Sequence, residues 1–283
     1  MKKGMVISAV MLGCLSVLGK MESVQAAEQV LVGEVDTSNS ADESVLDIII
    51  KGLCLDYDID DTNFSLCYYN TVTGESYNYN ENAWMKAAST YKLPLNMYYY
   101  DLENAGILSP DTVISGYSLS TIHYESIVNS NNEMSEAIMY NLGSYSYYKE
   151  LIFDSYGDYE YSEIDEIAWR TNYFTTRYMM STLKHLYENA DSYTELLEYM
   201  GIAKPDAYFK KYVTEYEIAH KYGTYDTAEN DVGIVYTEEP YLLAIYTYGL
   251  DDGEDVVGKV NEVFCQYNSV NQQVSEVLVE IEE

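Results

Sequence analysis

The chain has 283 residues, enough for one large domain or two small ones, and 47% of them are hydrophobic, so a sizeable core can form. Fifteen basic residues face 47 acidic ones, a formal charge of −32, which argues against nucleic acid and against a bare anionic membrane surface, since both need gathered cations. Tyrosine is the other bias, with 33 residues against 5 Phe and 2 Trp; it supplies aromatic bodies whose hydroxyls can stay wet and names no activity by itself.

In chain order, Lys2 and Lys3 precede an apolar stretch from Met5 to Leu18, and Val24-Gln25-Ala26 offers a small-residue cleavage site. Residues 1–26 therefore read as a secretory signal, interrupted by Lys20 and Glu22 too early to be a membrane anchor. Its removal leaves 12 basic and 46 acidic residues. The expected location is secreted or at the cell surface; Met11-Leu12-Gly13 is a poor approach to a lipid-modified Cys14, so a lipoprotein is not expected. Cys54, Cys67 and Cys265 then remain, an odd number without paired spacing, and His123, His185 and His220 are scattered. Neither a disulfide framework nor a metal site is indicated, and no cofactor is called for.

Residues 27–41 are polar and acidic and read as a flexible lead-in. From Val45 the apolar spacing predicts a helix, and Phe64–Asn70 with Ser76–Asn80 predicts a hairpin turned at Thr71-Val72-Thr73-Gly74. A mostly helical block spans roughly 89–200, with segments at 89–104, 132–142 and 175–189. Strands return at Glu215–Tyr222, Asp231–Thr237 and Tyr241–Tyr248, and Val256, Val260, Val263, Phe264 and Tyr267 mark a closing helix. This order predicts an α/β (α+β) domain over 42–270: an antiparallel sheet built from both chain ends, flanking N- and C-terminal helices, and an inserted helical subdomain with a cleft between the two. Residues 271–283 are an acidic tail or the end of the last helix.

Three short motifs carry chemistry. In Ser89-Thr90-Tyr91-Lys92 the spacing is close to one helical turn, so hydroxyl and amine share a face. A serine becomes a nucleophile when a neighbouring base takes its proton, and a desolvated lysine can be that base. Ser130-Asn131-Asn132 follows at another helix start, and Lys221-Tyr222-Gly223-Thr224 ends a predicted strand where Gly lets a substrate approach the backbone. Taken singly, each reads first as a cap or a strand-end turn.

In this order they resemble the Ser-x-x-Lys, Ser-Asp-Asn and Lys-Thr-Gly set of class A β-lactamases and penicillin-binding proteins. The likeness extends to Phe64–Tyr69, Gly74 and Tyr77–Tyr79 before the nucleophile. It continues in Ala219-His220-Lys221-Tyr222-Gly223, Asp231–Thr237 and Tyr241–Thr247 near the end. The resemblance implies a β-lactamase/transpeptidase-like serine hydrolase, acting as a monomer on a β-lactam or peptidoglycan-like amide or ester. It makes Ser89 the acylated nucleophile, Lys92 its base and Ser130 the proton relay. Asn132 would bind the substrate's amide side chain. Lys221 would set the positive potential that recognises a carboxylate and lower the Lys92 pKa through like charge. The N–H groups of Ser89 and Thr224 would form the oxyanion hole, beside Gly223.

Two departures limit the carry-over. Asn131 replaces the usual Asp, and Tyr222 stands where a small hydroxyl helps hold a substrate carboxylate. The deacylating Glu of the family falls near Glu166 by counting forward and near Glu160 by counting back, and neither is followed by Leu-Asn. Glu160, Glu163, Asp165 and Glu166 also fit a solvated acidic loop. Slow deacylation is therefore expected, with a non-catalytic or penicillin-binding surface protein of the same fold as the alternative.

Overall fold

The structure, a computed structural model, describes residues 44–282, with side chains to 269. The expected signal segment and the lead-in lie outside the described residues.

The first helix, α1 (Val45–Tyr57), starts at a reciprocal cap. The Asp47 N–H donates to Ser44 Oγ at 3.1 Å, and the Ser44 N–H donates to Asp47 Oδ2 at 3.0 Å. Its Leu46, Ile49, Ile50 and Leu53 are buried. The hairpin of β1 (Phe64–Asn70) and β2 (Ser76–Tyr79) follows, and Gly74 takes φ +74° in its turn, where a side chain would be strained. At the other end of the chain stand β7 (Glu217–Tyr225), β8 (Ala228–Tyr236) and β9 (Tyr241–Thr247). All pair antiparallel in the order β2-β1-β9-β8-β7, so the sheet is built from both chain ends as expected, with β1 against β9.

Alternation along the strands feeds two cores. Cys67 of β1, Val232 and Ile234 of β8, and Leu242, Ala244 and Tyr246 of β9 face the helical block. Phe64, Leu66 and Tyr68, with Tyr241, Leu243 and Ile245, face α1 and the closing helix α9 (Gly253–Glu282), whose Val256, Val260, Val263, Phe264 and Tyr267 complete that layer. Because both faces are covered, β9 is buried at every position and reads as a continuous apolar run. Among the described residues no helix is long and apolar enough to cross a membrane.

Between β2 and β7 lies the helical block. A two-residue strand β3 (Met85–Lys86) leads into a 3-10 turn, Ala88–Tyr91, and then α2 (Lys92–Asn104). The short pair β4 (Val113–Ile114) and β5 (Tyr117–Ser118) precedes α3 (Leu119–Ile127), α4 (Asn132–Asn141) and α5 (Tyr145–Tyr156). A second 3-10 turn (Tyr161–Glu163), α6 (Glu166–Arg170) and β6 (Tyr173–Phe174) make the next loop, which returns to pair with β3. Two further helices, α7 (Thr176–Glu188) and α8 (Thr194–Ile202), close the block.

The third motif does not end its strand. Asp226, at φ +57°, helps make a two-residue turn between Tyr225 and Ala228, so Gly223 and Thr224 lie inside the ladder, opposite Asn230 and Glu229. Cys54, Cys67 and Cys265 are free thiols, and burial pushes Cys67 and Cys265 up to about 12.

Candidate active site

Ser89 sits in the 3-10 turn and Lys92 is the first residue of α2, one turn on. Ala88 enters the turn at φ +50°, a left-handed conformation that a non-glycine residue adopts at a cost of about 1–3 kcal/mol and keeps only when its surroundings hold it. Here they do. The Thr90 hydroxyl lies 2.8 Å from Ala87 O and 2.7 Å from the Tyr246 phenol of β9, and Asn172 Nδ2 donates to Ala88 O at 2.7 Å. Ser89 does not cap the helix and is partly exposed.

The second motif arrives from the α3–α4 junction. Ser130 takes φ +53°, and Asn131 caps α4, its Oδ1 accepting the Met134 N–H at 3.2 Å. Replacing Asp by Asn at 131 thus keeps the capping acceptor. This bend aims Ser130 and Asn132 at Lys92, whose Nζ donates to Ser130 O at 2.5 Å and Asn132 Oδ1 at 2.7 Å and lies 3.3 Å from Ser130 Oγ. From β7, Lys221 Nζ donates to the same Ser130 Oγ at 3.1 Å and to Tyr222 O at 2.7 Å. One hydroxyl therefore stands between two amines.

Both lysines are fully buried. Burial lowers the Lys92 amine to about 8, opposed by the charge of Glu136; Lys221 is held well below the usual lysine range, first by burial and then by Lys92. The expected like-charge effect therefore acts on Lys221, while removal from water is what tunes Lys92. A cluster of this kind can shuttle protons: a near-neutral amine to accept one and a hydroxyl to pass it on.

The third motif also shapes the turn. A Cβ placed on Gly223 would lie 2.6 Å from Ser89 N and 2.9 Å from Thr90 N, so only glycine lets β7 come this close to the turn. Thr224, the next residue, is exposed at the same edge. Tyr222 is 7% exposed and stacked on Tyr208, with ring centroids 5.3 Å apart, while Lys221 Nζ lies 4.0 Å from its ring. A hydrogen bond with Ser130 partly offsets the rise that burial gives its phenol. Its ring fills volume that a small hydroxyl would leave free.

The acidic loop is built differently. Glu166 bridges Arg170 at 3.6 Å with both side chains in solvent, and Asp165 caps α6 through the Ile167 N–H. Glu163 pairs with Arg177 and accepts the Glu160 N–H at 2.9 Å; Glu160 itself is exposed. Among the described residues no hydrogen bond or ion pair of Glu166 or Glu160 reaches the Ser89 turn; Glu166 makes a surface bridge and the loop is exposed, as the solvated-loop reading expects.

The family model described as "Beta-lactamase enzyme family" matches residues 49–267. The chain belongs to that family. No curated protein matches the sequence. Among solved structures, an ancestral class A β-lactamase (GNCA) superposes with TM-score 0.67 at 16% identity, covering 77% of this chain and 98% of its own. A β-lactamase from Xanthomonas campestris pv. campestris gives 0.66 at 17%, covering 78% and 97%. One from Sphaerobacter thermophilus gives 0.63 at 19%, covering 73% and 92%. At these identities the likeness shows the fold.

Within this β-lactamase-family scaffold, Ser89, Lys92, Ser130, Asn132 and Lys221 converge, and Tyr222, Gly223 and Thr224 line the β7 edge beside them. Sequence reasoning missed Asn172. Its backbone carbonyl accepts the Ala87 N–H at 2.9 Å, its amide holds Ala88, and its buried Oδ1 has no partner among the described residues. The β3–β6 pairing that places it joins two-residue strands too short to show in the sequence. Lys204, exposed with Nζ 5.2 Å from the Tyr222 ring, was missed too, being a lone lysine in a loop. Among the described residues no group of three or more His, Cys, Asp or Glu side chains could hold a metal ion.

Proposed function

We propose that the protein is an exported active-site serine hydrolase that forms an acyl-enzyme at Ser89 with a β-lactam or a related amide or ester, and that deacylation is its slow step. The observation that carries the reading is Ser130 Oγ lying within 3.3 Å of Lys92 Nζ and 3.1 Å of Lys221 Nζ. In the neutral form Lys92 takes the Ser89 proton as Oγ attacks the carbonyl carbon. The resulting oxyanion is held by the N–H groups of Ser89 and Thr224. As the C–N bond breaks, the proton passes from the Lys92 ammonium through the Ser130 hydroxyl to the leaving nitrogen. Every group needed for acylation has a residue at hand.

Deacylation needs a base that holds a water against the ester, and removing such a base from an enzyme typically lowers the rate 10²–10⁴-fold. Glu166 is bridged to Arg170, and Glu160 is exposed on the surface loop. Asn172 Oδ1 is an acceptor beside the nucleophile's turn, but an amide takes no proton. A persistent adduct is the expected result.

Intact mass followed over time after exposure to benzylpenicillin tests the proposal. The expected result is a stoichiometric adduct lasting minutes or longer, absent in Ser89→Ala. Rapid return to the unmodified mass with product formation would make the protein a working β-lactamase; no adduct with penicillins or a fluorophosphonate would favour a non-catalytic protein that retains the fold. The same measurement on protein recovered outside the cell tests export: a chain beginning near Ala27 is expected, and one retaining residues 1–26 would refute it.

A further inference from the structure

His123 belongs to none of the three motifs, yet it is fully buried in the helical block, on α3. Leu95 and Met97 of α2 and Leu119, Ile122 and Ile127 of α3 make the core around these helices apolar. Three more polar side chains share its complete burial: Asn96 of α2, Ser126 of α3 and Ser135 of α4. Polar groups in such a place are costly unless each finds a partner, and these four partner one another. His123 Nδ1 lies 2.8 Å from Asn96 Oδ1, and Asn96 Nδ2 donates to Lys92 O at 2.6 Å and to Ser126 Oγ at 2.9 Å. Ser126 Oγ lies 2.8 Å from Ser135 Oγ, which donates to Asn131 O at 2.5 Å.

Only one arrangement of protons satisfies this chain. Lys92 O can only accept, so the Asn96 amide spends its two N–H bonds on Lys92 O and Ser126 Oγ, and its oxygen accepts from His123 Nδ1–H. Ser135 spends its proton on Asn131 O, so Ser126 is the donor between the two hydroxyls. Every donor thus points from the imidazole toward the backbone of the Ser130 bend, with one branch to the backbone of Lys92. The ring is fixed from behind as well. It stacks on Tyr100, with centroids 4.0 Å apart at 18°, and its Nε2 stands 3.7 Å from Glu103 Oε2, beyond hydrogen-bond range. Tyr100 is tied in turn to α8, its hydroxyl donating to Glu195 Oε2 at 2.8 Å. Burial lowers the imidazole to about 3, so the ring is neutral at ordinary pH and the chain keeps its direction.

We propose that His123 is a positioning residue: through Asn96, Ser126 and Ser135 it sets the spacing between the Lys92 backbone and the Ser130 bend, and with it the 3.3 Å approach of Lys92 Nζ to Ser130 Oγ. A buried polar chain with a single satisfied arrangement fixes geometry in a way that apolar packing does not. The role in catalysis rests on the reading of Ser89, Lys92 and Ser130 as the acylation machinery.

The test compares His123→Leu, which has no donor, with His123→Asn, whose amide N–H can take the place of Nδ1–H. In stopped-flow acylation by a chromogenic cephalosporin, His123→Leu should lower the acylation rate constant by about 10–10²-fold, the scale of a small misplacement, with the preceding dissociation constant within about twofold of wild type. His123→Asn should recover most of the rate. A second readout needs no substrate: in an NMR titration of carbon-13-labelled lysine side chains, the Lys92 midpoint should move by about half a unit or more in His123→Leu and stay in place in His123→Asn. Ser135→Ala removes a single oxygen from the chain and should give the same pattern more weakly, which keeps the test open if His123→Leu does not fold. An unchanged rate constant or Lys92 midpoint, a loss confined to the dissociation constant, or losses that His123→Asn does not recover would each overturn the role. A Lys92 midpoint that moves and is recovered as expected, in a protein whose wild type gains no mass, would leave the positioning standing and remove the acyl-enzyme instead.

Discussion

The Ser89 cluster and the loop from 157 to 172 are both polar, both border the cleft, and are held in opposite ways. In the cluster, two lysines from different elements are stripped of water and turned on one hydroxyl, and the backbone is bent into left-handed conformations at Ala88 and Ser130 to bring them there. In the loop the carboxylates are wet, and Asp158, Glu163, Asp165 and Glu166 are satisfied locally by Arg177, Arg170 or a helix cap. Buried charge without a full set of partners is costly and persists where the fold enforces it. Wet, locally paired charge places no such demand. Chemistry is therefore expected in the first region and solubility from the second.

The sharpest way to break this comparison is Gly223→Ala. The added Cβ meets backbone atoms of Ser89 and Thr90, which cannot yield as a flexible side chain would. If Ser89 is the nucleophile as proposed, misplacing the turn by a fraction of an ångström disturbs both it and the proposed oxyanion hole, so the acylation rate should fall by roughly 10²–10³ or more. Near-normal stopped-flow acylation by a chromogenic cephalosporin would show that the turn is not gripped by β7. A smaller effect comes from pH. In the proposed mechanism Lys92 acts as base only when neutral, and burial lowers its amine to about 8, so the acylation rate should rise about tenfold per pH unit below that value and level off above it. A flat profile from about pH 6 to 9 would exclude the amine as the base. Smallest is the loop: Glu166→Gln and Glu160→Gln should each change acyl-adduct lifetime less than about twofold, since exposed residues away from special features contribute little. A marked lengthening in either variant would return the missing base to this loop.

Much of the fold was legible because its signals are local. The strand alternation, the turn at Gly74 and the Val256-to-Tyr267 stripe each follow from a period, and the motif order placed Ser89, Lys92, Ser130 and Lys221 before any geometry was known. Less local features were hidden. The end of β7 was set too early because Asp226 is an unremarkable turn residue, and its left-handed φ is visible only in three dimensions. Asn172 depends on β3 meeting β6. Tyr222 was flagged as too large for a hydroxyl's place; its stacking on Tyr208, which sits in the loop before β7, gives the phenol a home that no spacing rule anticipates.

The pairing of β1 with β9 carries a consequence for the order of assembly. Phe64 lies opposite Thr247, so the sheet closes only between distant parts of the chain, a slow kind of contact to form. A chain growing from its N-terminus makes Ser89, Lys92 and Ser130 early, yet it lacks Lys221, the glycine that lets β7 reach the nucleophile's turn, and the Tyr246 phenol that Thr90 bonds. Under the proposed mechanism the serine is unarmed until the last hairpin emerges, so reactivity toward an electrophile would report completion of the whole domain rather than of any part.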